Sequence, residues 1–323
     1  MYKNFYNLTR NPFEISPDPA FLYSTARHNE ALASLYYGVR RHKGFVVLTG
    51  EVGTGKTLLL RCLLDLLNRS QVSYAYVFNT RLSALGFLHY IAADFGVPSR
   101  GKSKADLLLD LSSFVVKRHR QQLTTVLIVD EAHHLPIEVL EEIRLLTNLE
   151  TTQQKLLQIL LVGQPELDNK LDSFELRQLK QRIALRSTLG PLDQVETSGY
   201  IRKRLELAGA TSHAALLFPD LTAEAVYRHA RGIPRLINTV CENALISAYA
   251  RRARVVSPEI IDEVSSELRL GVMHPAKSSA RDLAGDRELW QAAKTLLELH
   301  EILRGTRQET QEPPLTVSGT RLV

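Results

Sequence analysis

The sequence is poor in cysteine, tryptophan and methionine, and charge of neither sign dominates it. The 323 residues include two cysteines, one tryptophan and two methionines, and the formal net charge is +5. Cys62 and Cys241 lie far apart along the chain, which argues against a disulfide framework and favours a reducing compartment, the cytoplasm. The small basic surplus lies in residues 1–195, so the composition permits an anionic partner without demanding one.

Long apolar runs are also missing. Charged residues interrupt every apolar stretch well before the roughly 20 residues that a membrane-spanning helix needs. The opening Met1-Tyr2-Lys3-Asn4-Phe5 leads into polar, proline-containing sequence rather than the apolar segment of a signal peptide. We therefore expect a soluble protein with no direct membrane insertion, which reaches a membrane only through a partner. An apolar content of 44% suffices for one large or two modest domains.

Short apolar runs alternate with helical periodicity in the first part of the chain, and helical periodicity alone continues after about Val195. This alternation predicts an α/β fold, a parallel sheet sandwiched by helices, followed by an all-helical domain. The predicted strands are 45–49, 73–78, 125–129, 157–162 and 184–189, and the predicted helices between them are 26–41, 55–68, 81–95, 104–121 and 136–148. The helical part is broken at Gly209, Pro219, Gly232-Ile233-Pro234 and Ser257-Pro258.

A glycine-rich segment with the pattern GxxxxGKT follows the first predicted strand directly. Its glycines let successive backbone N–H groups point at one anion, and the helix that begins near Lys56 directs its positive end to the same place. Lys56 adds a mobile charge for the β- and γ-phosphates of a nucleotide, and the Thr57 hydroxyl suits Mg²⁺. We expect ATP and Mg²⁺ as cofactors. The residues predicted to contact the nucleotide are Gly50, Glu51, Val52, Gly53, Thr54, Gly55, Lys56, Thr57 and Leu58.

Two adjacent carboxylates, Asp130 and Glu131, end the third predicted strand. Because side chains at the carboxyl end of a parallel strand face the ligand crevice, this pair is expected near the glycine-rich loop. Asp130 is predicted to hold Mg²⁺, and Glu131 to orient or deprotonate the attacking water. The spacing predicts a P-loop NTPase with one extra strand between the loop and the acidic strand.

Several linked motifs, taken together, resemble AAA+ ATPases of the general secretion pathway protein A type, with transposition ATPases and origin-recognition proteins as more distant relatives. The resemblance covers roughly residues 1–268. The motifs that carry it, besides the glycine-rich loop, are Asn11-Pro12-Phe13, Pro17-Asp18-Pro19, Phe21-Leu22-Tyr23, His28-Asn29-Glu30-Ala31-Leu32, Asp130-Glu131-Ala132-His133, Leu161-Val162-Gly163-Gln164-Pro165-Glu166-Leu167 and Gly232-Ile233-Pro234-Arg235.

The resemblance implies a Mg²⁺-dependent ATPase that works as a homo-oligomer, a ring or a filament. Gln164 resembles the sensor for the γ-phosphate or attacking water, and Arg235 resembles a second sensor that reaches from the helical domain. Such oligomers complete each site with an arginine from the neighbouring subunit. Arg182 is the best candidate for this finger, with Arg177 and Arg186 as alternatives, although arginines at helix ends are commonly solvated.

The domain boundaries predicted from the pattern are 1–195 for the nucleotide-binding domain with its N-terminal arm, 196–270 for the helical lid, and 271–323 for a linker, an amphipathic helix and a disordered tail. The helix is expected at 286–304, where it either docks a partner or packs back on the lid. In the N-terminal arm, Phe13, Phe21 or Tyr23 is expected either to cover the adenine or to pack as ordinary core.

Two functions from different classes follow. The first is an ATPase that drives or regulates a secretion, export or surface-polymer assembly through an unidentified, membrane-associated protein partner. The second is a regulator that assembles on duplex DNA, since basic clusters at 40–43, 117–120 and 251–254 could contact phosphates. In secretion-type relatives a transmembrane helix and a cell-wall-binding module often follow; we expect neither here, which keeps the second function open.

Overall fold

The computed structural model describes residues 2–68, 72–78, 81–210 and 214–270. The predicted helix at 286–304 and the tail lie outside the described residues. Contacts between residues group Met1–Leu270 as one unit.

Five parallel strands form one sheet, as the sequence predicts, and each strand lies within one residue of its predicted bounds. The order across the sheet is β2-β3-β4-β1-β5, so β4 separates the glycine-loop strand from the acidic strand. The three central strands start within two residues of one another, with Phe45 opposite Ile159 and Thr125 opposite Leu157. The strands are β1 (Phe45–Gly50), β2 (Ser73–Val77), β3 (Thr125–Val129), β4 (Leu157–Gly163) and β5 (Leu185–Leu189).

Helices precede, separate and follow the strands, with 3₁₀ turns at Pro19–Phe21 and Ala132–His134. Within the described ranges, no helix combines the length and the apolarity needed to cross a bilayer. The helices are α1 (Tyr2–Phe5), α2 (Ala26–Arg40), α3 (Lys56–Asn68), α4 (Ala84–Asp94), α5 (Lys104–Arg120), α6 (Ile137–Leu146), α7 (Glu166–Leu171), α8 (Arg177–Lys180), α9 (Gln194–Leu207), α10 (Ala214–Leu217), α11 (Asp220–Ala230), α12 (Pro234–Ala250) and α13 (Pro258–Glu267).

Each face of the sheet has its own apolar core because successive strand residues point to opposite faces. Val46 and Leu48 pack with α2 and α3 on one face. Phe45 and Val47 pack with α4, α5 and α6 on the other. The helices therefore sandwich the sheet, which fixes its carboxyl edge as the place where loops from β1, β3 and β4 meet.

A third core joins the helical region to the start of the chain. Buried residues of α9, α11, α12 and α13 pack with Tyr2, Tyr6, Leu8 and Phe13 of the N-terminal arm. The arm is fixed by hydrogen bonds as well, since the Tyr2 hydroxyl donates to Glu242 at 2.8 Å and the Thr9 amide donates to the Ala208 carbonyl at 2.7 Å. The arm thus packs with the helical region rather than with the sheet.

Candidate active site

The glycine-rich loop lies between the end of β1 and the start of α3. Gly53 adopts φ +82°, in the region that favours glycine, and Lys56 is buried at the first turn of the helix. The Lys56 ammonium donates to the carbonyls of Gly50 and Glu51 at 2.7 and 2.9 Å. Burial lowers the pKa of Lys56, and the nearby carboxylates of Glu131 and Asp130 act in the opposite direction. The lysine is therefore a desolvated charge held beside the loop.

Asp130 forms the acidic side of the site. Its Oδ2 accepts hydrogen bonds from the Thr57 hydroxyl at 3.3 Å and from the Tyr76 hydroxyl at 2.9 Å, while Oδ1 accepts from the Glu131 amide at 2.9 Å. Burial raises the pKa of Tyr76, and the negative charge of Asp130 raises it further. The hydroxyl therefore keeps its proton and donates it to the hydrogen bond. Thr57 and Asp130 thus lie together, and Tyr76 is a positioning residue that no sequence motif marks.

Glu131 has a left-handed backbone, with φ +52° and ψ +35°, which is uncommon for a residue other than glycine. Its half-exposed carboxylate lines the cleft. The Glu131 Oε2 atom accepts a hydrogen bond from the side-chain Nε2 of Gln164 at 3.4 Å. Backbone strain of this kind is retained where the surrounding structure fixes a functional side chain. The structure therefore brings Glu131 and Gln164 together at the ends of two neighbouring strands.

His133 lies close to both Glu131 and Gln164. Its buried Nδ1 accepts the Gln164 backbone N–H at 3.4 Å and lies 3.5 Å from Glu131 Oε2. Burial, then His134, lowers the pKa of His133, so the neutral ring is favoured. Ligand atoms of Glu131, His133 and His134 lie within 4.8 Å of one another, but His133 Nδ1 already serves as the acceptor for Gln164. We interpret His133 as a positioning residue.

Arg235 reaches the site from the start of α12. Its backbone N–H donates to the Gly53 carbonyl at 3.2 Å, and a Cβ at Gly53 would lie 2.7 Å from the Arg235 Cβ. The guanidinium is exposed and lines the cleft, and within the described ranges it forms no ion pair. A free cation is thus held beside the glycine-rich loop.

A second close backbone contact connects the sheet region to the helical region. Leu192 and Gly232 approach so closely that a Cβ at Gly232 would lie 1.8 Å from the Leu192 carbonyl oxygen, and Gly232 has φ +72°. The Leu192 amide donates to the Gly232 carbonyl at 2.8 Å. This glycine, which precedes α12, therefore fixes the place from which Arg235 projects.

Arg204 is a buried arginine in the wall of the cleft, and no sequence motif marks it. Its guanidinium donates to the carbonyls of Pro12 and Glu14 at 2.5 and 3.1 Å and to the Tyr200 hydroxyl at 2.9 Å. It also lies 4.6 Å from the centre of the Phe21 ring. Arg204 thereby attaches the N-terminal arm to α9 next to the nucleotide-binding loop.

The cleft has a volume of about 350 Å³ and lies between the loop, the arm and the helical region. Residues 14–18 line it, with Ile15 and Pro17 as the apolar surface. Phe13, Phe21 and Tyr23 do not line it. Phe13 packs against Phe218, Phe21 is buried beneath Arg204, and the Tyr23 ring packs against Tyr200. Of the two alternatives for these aromatics, ordinary packing is the one observed.

Residues of the glycine-rich motif divide between lining and support. Val52, Gly53, Gly55, Lys56, Thr57 and Leu58 line the cleft, whereas Gly50, Glu51 and Thr54 hold the loop in shape. The Thr54 hydroxyl donates to the Glu51 carbonyl at 2.8 Å, and His28 Nε2 lies 3.3 Å from the Thr54 carbonyl. Burial lowers the pKa of His28. His28 therefore braces the loop from α2.

None of the three arginines considered for the finger lines the cleft. Arg182 precedes β5 and donates to the Thr147 hydroxyl at 2.8 Å. Since β5 is five residues long, Arg182 lies on the order of 20 Å from the carboxyl edge of its own sheet. Arg177 lies 4.2 Å from the ring centre of the exposed Phe174, and Arg186 pairs with Asp168 at 3.2 Å. The finger role of Arg182 stays a prediction.

The oxygen donors fit the preference of Mg²⁺ for a hydroxyl, one or two carboxylates and phosphate oxygens. The Thr57 hydroxyl and the Asp130 carboxylate lie within hydrogen-bond distance at the foot of the loop. Thr57 and Asp130 are the residues that would hold the ion.

Comparison with known proteins supports the fold and family. The AAA domain family model matches residues 39–171. General secretion pathway protein A of Aeromonas hydrophila is 45% identical over 252 residues, which are 78% of this chain and 45% of that protein. The chain thus spans less than half the length of this relative.

Solved structures with the same fold are more distant in sequence. Aeropyrum pernix ORC2 superposes with a TM-score of 0.60 at 19% identity over 80% of this chain and 71% of its own. Cdc6p of Pyrobaculum aerophilum gives 0.58 at 18% identity over 77% and 70%. The RuvB branch migration motor of Thermotoga maritima gives 0.51 at 19% identity over 76% and 70%. The chain belongs to the AAA+ family of P-loop NTPases, in the group that includes general secretion pathway protein A.

Proposed function

We propose that this protein binds ATP with Mg²⁺ and hydrolyses it as a homo-oligomer, and that the nucleotide cycle drives or regulates a secretion-type protein assembly. The observation that carries the proposal is the convergence of Lys56, Glu131, Gln164 and Arg235 on one cleft. The similarity to general secretion pathway protein A supports the choice of process.

The residues have separate tasks in this proposal. Bound Mg²⁺ supplies positive charge to the phosphates, and Thr57 and Asp130 would hold it. Lys56 and the loop N–H groups bind the β- and γ-phosphates, while Glu131 orients the attacking water and accepts its proton. Gln164 reaches the same water or the γ-phosphate. Arg235 connects the state of the nucleotide to the position of the helical region.

The test compares the whole protein with Glu131→Gln and with Glu138→Gln, an exposed glutamate of α6 as the control. We expect Glu131→Gln to lower phosphate release about 10³-fold while ATP binding is retained, because only the water-activating group is lost. Light scattering should show an ATP-dependent increase in mass in that variant. Normal turnover in Glu131→Gln would contradict the proposal.

The finger can be tested by mixing two inactive variants. Arg182→Ala should lower turnover about 10³-fold with ATP binding nearly intact. When it is mixed with Glu131→Gln, an intact Arg182 of one subunit can meet an intact Glu131 of its neighbour, so turnover should partly return. Normal hydrolysis by Arg182→Ala would end the assignment, and the same experiment with Arg177→Ala tests the alternative.

Duplex DNA gives a second candidate function, an ATPase regulator that assembles on DNA. Two solved relatives, Aeropyrum pernix ORC1 and Drosophila ORC, are described as bound to DNA. In this chain the specific observation in favour is the position of two basic clusters, which end α2 and α5 at the same edge of the sheet.

A further inference from the structure

The edge of the sheet opposite the candidate active site collects cations from separate parts of the sequence. Helix α2 ends in Arg40 and is followed by Arg41 and Lys43, directly before β1. Helix α5 ends in the run from Lys117 to Arg120, shortly before β3. Since both helices lead into strands of one parallel sheet, both clusters lie at its amino edge.

The loop before β4 connects the two clusters. His42 Nδ1 lies 3.3 Å from the Lys155 carbonyl oxygen and 3.3 Å from the Gln158 side-chain nitrogen. On the other side, the Gln154 side-chain nitrogen lies 3.4 Å from His119 Nδ1. Because β4 lies between β1 and β3, the starts of β1 and β3 are about 10 Å apart. The clusters and the loop therefore form one continuous surface, which we call the basic face, residues 40–43, 117–124 and 150–156.

The basic face is wide as well as continuous. α2 packs on one side of the sheet and α5 on the other, so helix ends about 10 Å in diameter flank the strands on both sides. The cations thus spread over a span on the order of 20 Å, along which a duplex presents a phosphate charge about every 1.7 Å.

Little negative charge balances these cations. Glu150 is the one acidic residue in the basic face, and it pairs with Lys155. Over the described ranges, the exposed arginines and lysines of the two clusters form no ion pair. The third cluster differs, because Arg251 pairs with Glu263 and Arg254 donates to the Phe5 carbonyl. Structural contacts thus hold two of the three arginines of the third cluster. In the basic face, Arg118 donates to the Thr124 carbonyl, and the exposed cations are Arg40, Arg41, Lys43, Lys117 and Arg120.

The neutral residues of the face favour nucleic acid over lipid. Gln121, Gln122, Thr152 and Gln153 are exposed between the cations, and such side chains donate to phosphate oxygens. Amphipathic segments that lie on membranes carry exposed apolar anchors, whereas residues 40–43, 117–124 and 150–156 expose no large apolar side chain. We propose that the basic face binds the phosphate backbone of duplex DNA without sequence preference. This inference rests on the second candidate function and does not depend on ATP hydrolysis.

The test measures binding of the whole protein to a fluorescent duplex of roughly 30 base pairs, about three helical turns, between about 50 and 200 mM salt. Two variants each remove two positive charges from one cluster, Arg41→Gln with Lys43→Gln and Lys117→Gln with Arg120→Gln. The control, Arg202→Gln with Lys203→Gln, removes two exposed charges from α9. ATP turnover is measured in parallel and should be unchanged in all three.

We expect each basic-face variant to weaken duplex binding about tenfold and to reduce the slope of log K against log salt by about two, while the control stays close to the unchanged protein. If only one of the two variants weakened duplex binding, the proposal that both clusters form one continuous face would be overturned. Duplex binding that neither variant alters would place the DNA site elsewhere, and no duplex binding by the unchanged protein would remove the second candidate function too. Binding of anionic lipid vesicles but not of duplex, lost in the same variants, would replace DNA by a membrane surface.

Discussion

The sheet region and the helical region contribute to the cleft in different ways. On the sheet side, the residues of the cleft follow buried parallel strands, and each forms hydrogen bonds within one motif or between neighbouring strand ends. These residues are Lys56, Asp130, Glu131 and Gln164. On the helical side, the arm is held by Arg204 across some 190 residues of sequence. The charged and polar groups of the cleft thus come from local motifs, and part of its wall comes from long-range packing.

This contrast has a physical origin. A parallel strand places the residue after its last apolar position at the carboxyl edge whatever packs elsewhere. A cleft wall made of an arm and a helix exists only when both are ordered together, because isolated hydrogen bonds rather than a regular backbone ladder join them. Substitutions on the sheet side should therefore act mainly on ATP turnover. Substitutions on the helical side should act mainly on the free energy of unfolding and on ATP binding.

The largest effect is expected on the sheet side. Lys56→Ala removes the desolvated ammonium from the phosphate site and should lower turnover by about 10³-fold or more, with much weaker ATP binding. Phosphate release and calorimetric titration with Mg·ATP measure both. Lys43→Ala, an exposed lysine at the other edge of the sheet, serves as the control, and equal behaviour of the two variants would contradict the assignment.

The junction between the regions comes next. Gly232→Ala introduces a Cβ 1.8 Å from the Leu192 carbonyl at a positive φ, so the backbone must shift and the free energy of unfolding should fall by about 4 kcal/mol or more. Gly101→Ala isolates the conformational part, since Gly101 has the same φ of +72° with no atom within 4 Å, and should cost about 1–2 kcal/mol. Urea unfolding measures both, and similar losses would show that the contact is unimportant.

On the helical side, Arg204→Met keeps the length of the side chain but removes the donors to the Pro12 and Glu14 carbonyls. We expect a loss of about 3 kcal/mol in the free energy of unfolding and roughly tenfold weaker ATP binding, with turnover at saturating ATP little changed. Arg202→Met on the exposed face of α9 is the matched control. A fall in saturated turnover without weaker binding would assign Arg204 to the chemistry instead.

The smallest effect is expected for Tyr76→Phe, which removes one hydrogen bond to Asp130. Turnover should fall by tenfold or less, and half-maximal turnover should require more Mg²⁺ because Asp130 is less well oriented. Tyr74→Phe, two residues earlier on the same face of β2, is the control. An unchanged Mg²⁺ requirement in Tyr76→Phe would leave its hydroxyl with a packing role only.

Much of the fold was predictable because its signals are local. Apolar runs bounded by turns marked all five strands, and Gly209, Pro219, Pro234 and Pro258 marked the breaks between helices. The short helices α7 and α8 escaped because four to six residues carry too little periodicity to distinguish them from a loop. Strand order was open as well, since it depends on which strands share hydrogen bonds rather than on any one segment.

The candidate site divides along the same line. Lys56, Thr57, Asp130 and Glu131 could be named from spacing, and Gln164 and Arg235 from a family resemblance. Tyr76, His133 and Arg204 could not be assigned roles, because a tyrosine in a strand or an arginine in a helix has no distinguishing neighbours in sequence. Their partners become visible only when the elements pack.

The sequence by itself determined the glycine-rich loop, because a strand, a glycine-rich turn and a helix start form it from consecutive residues. Only the tertiary structure decided that the N-terminal arm closes the cleft through Arg204, and that clusters 40–43 and 117–120 share one edge. Both outcomes depend on side-chain packing and strand order, which bring together residues that the linear chain keeps apart.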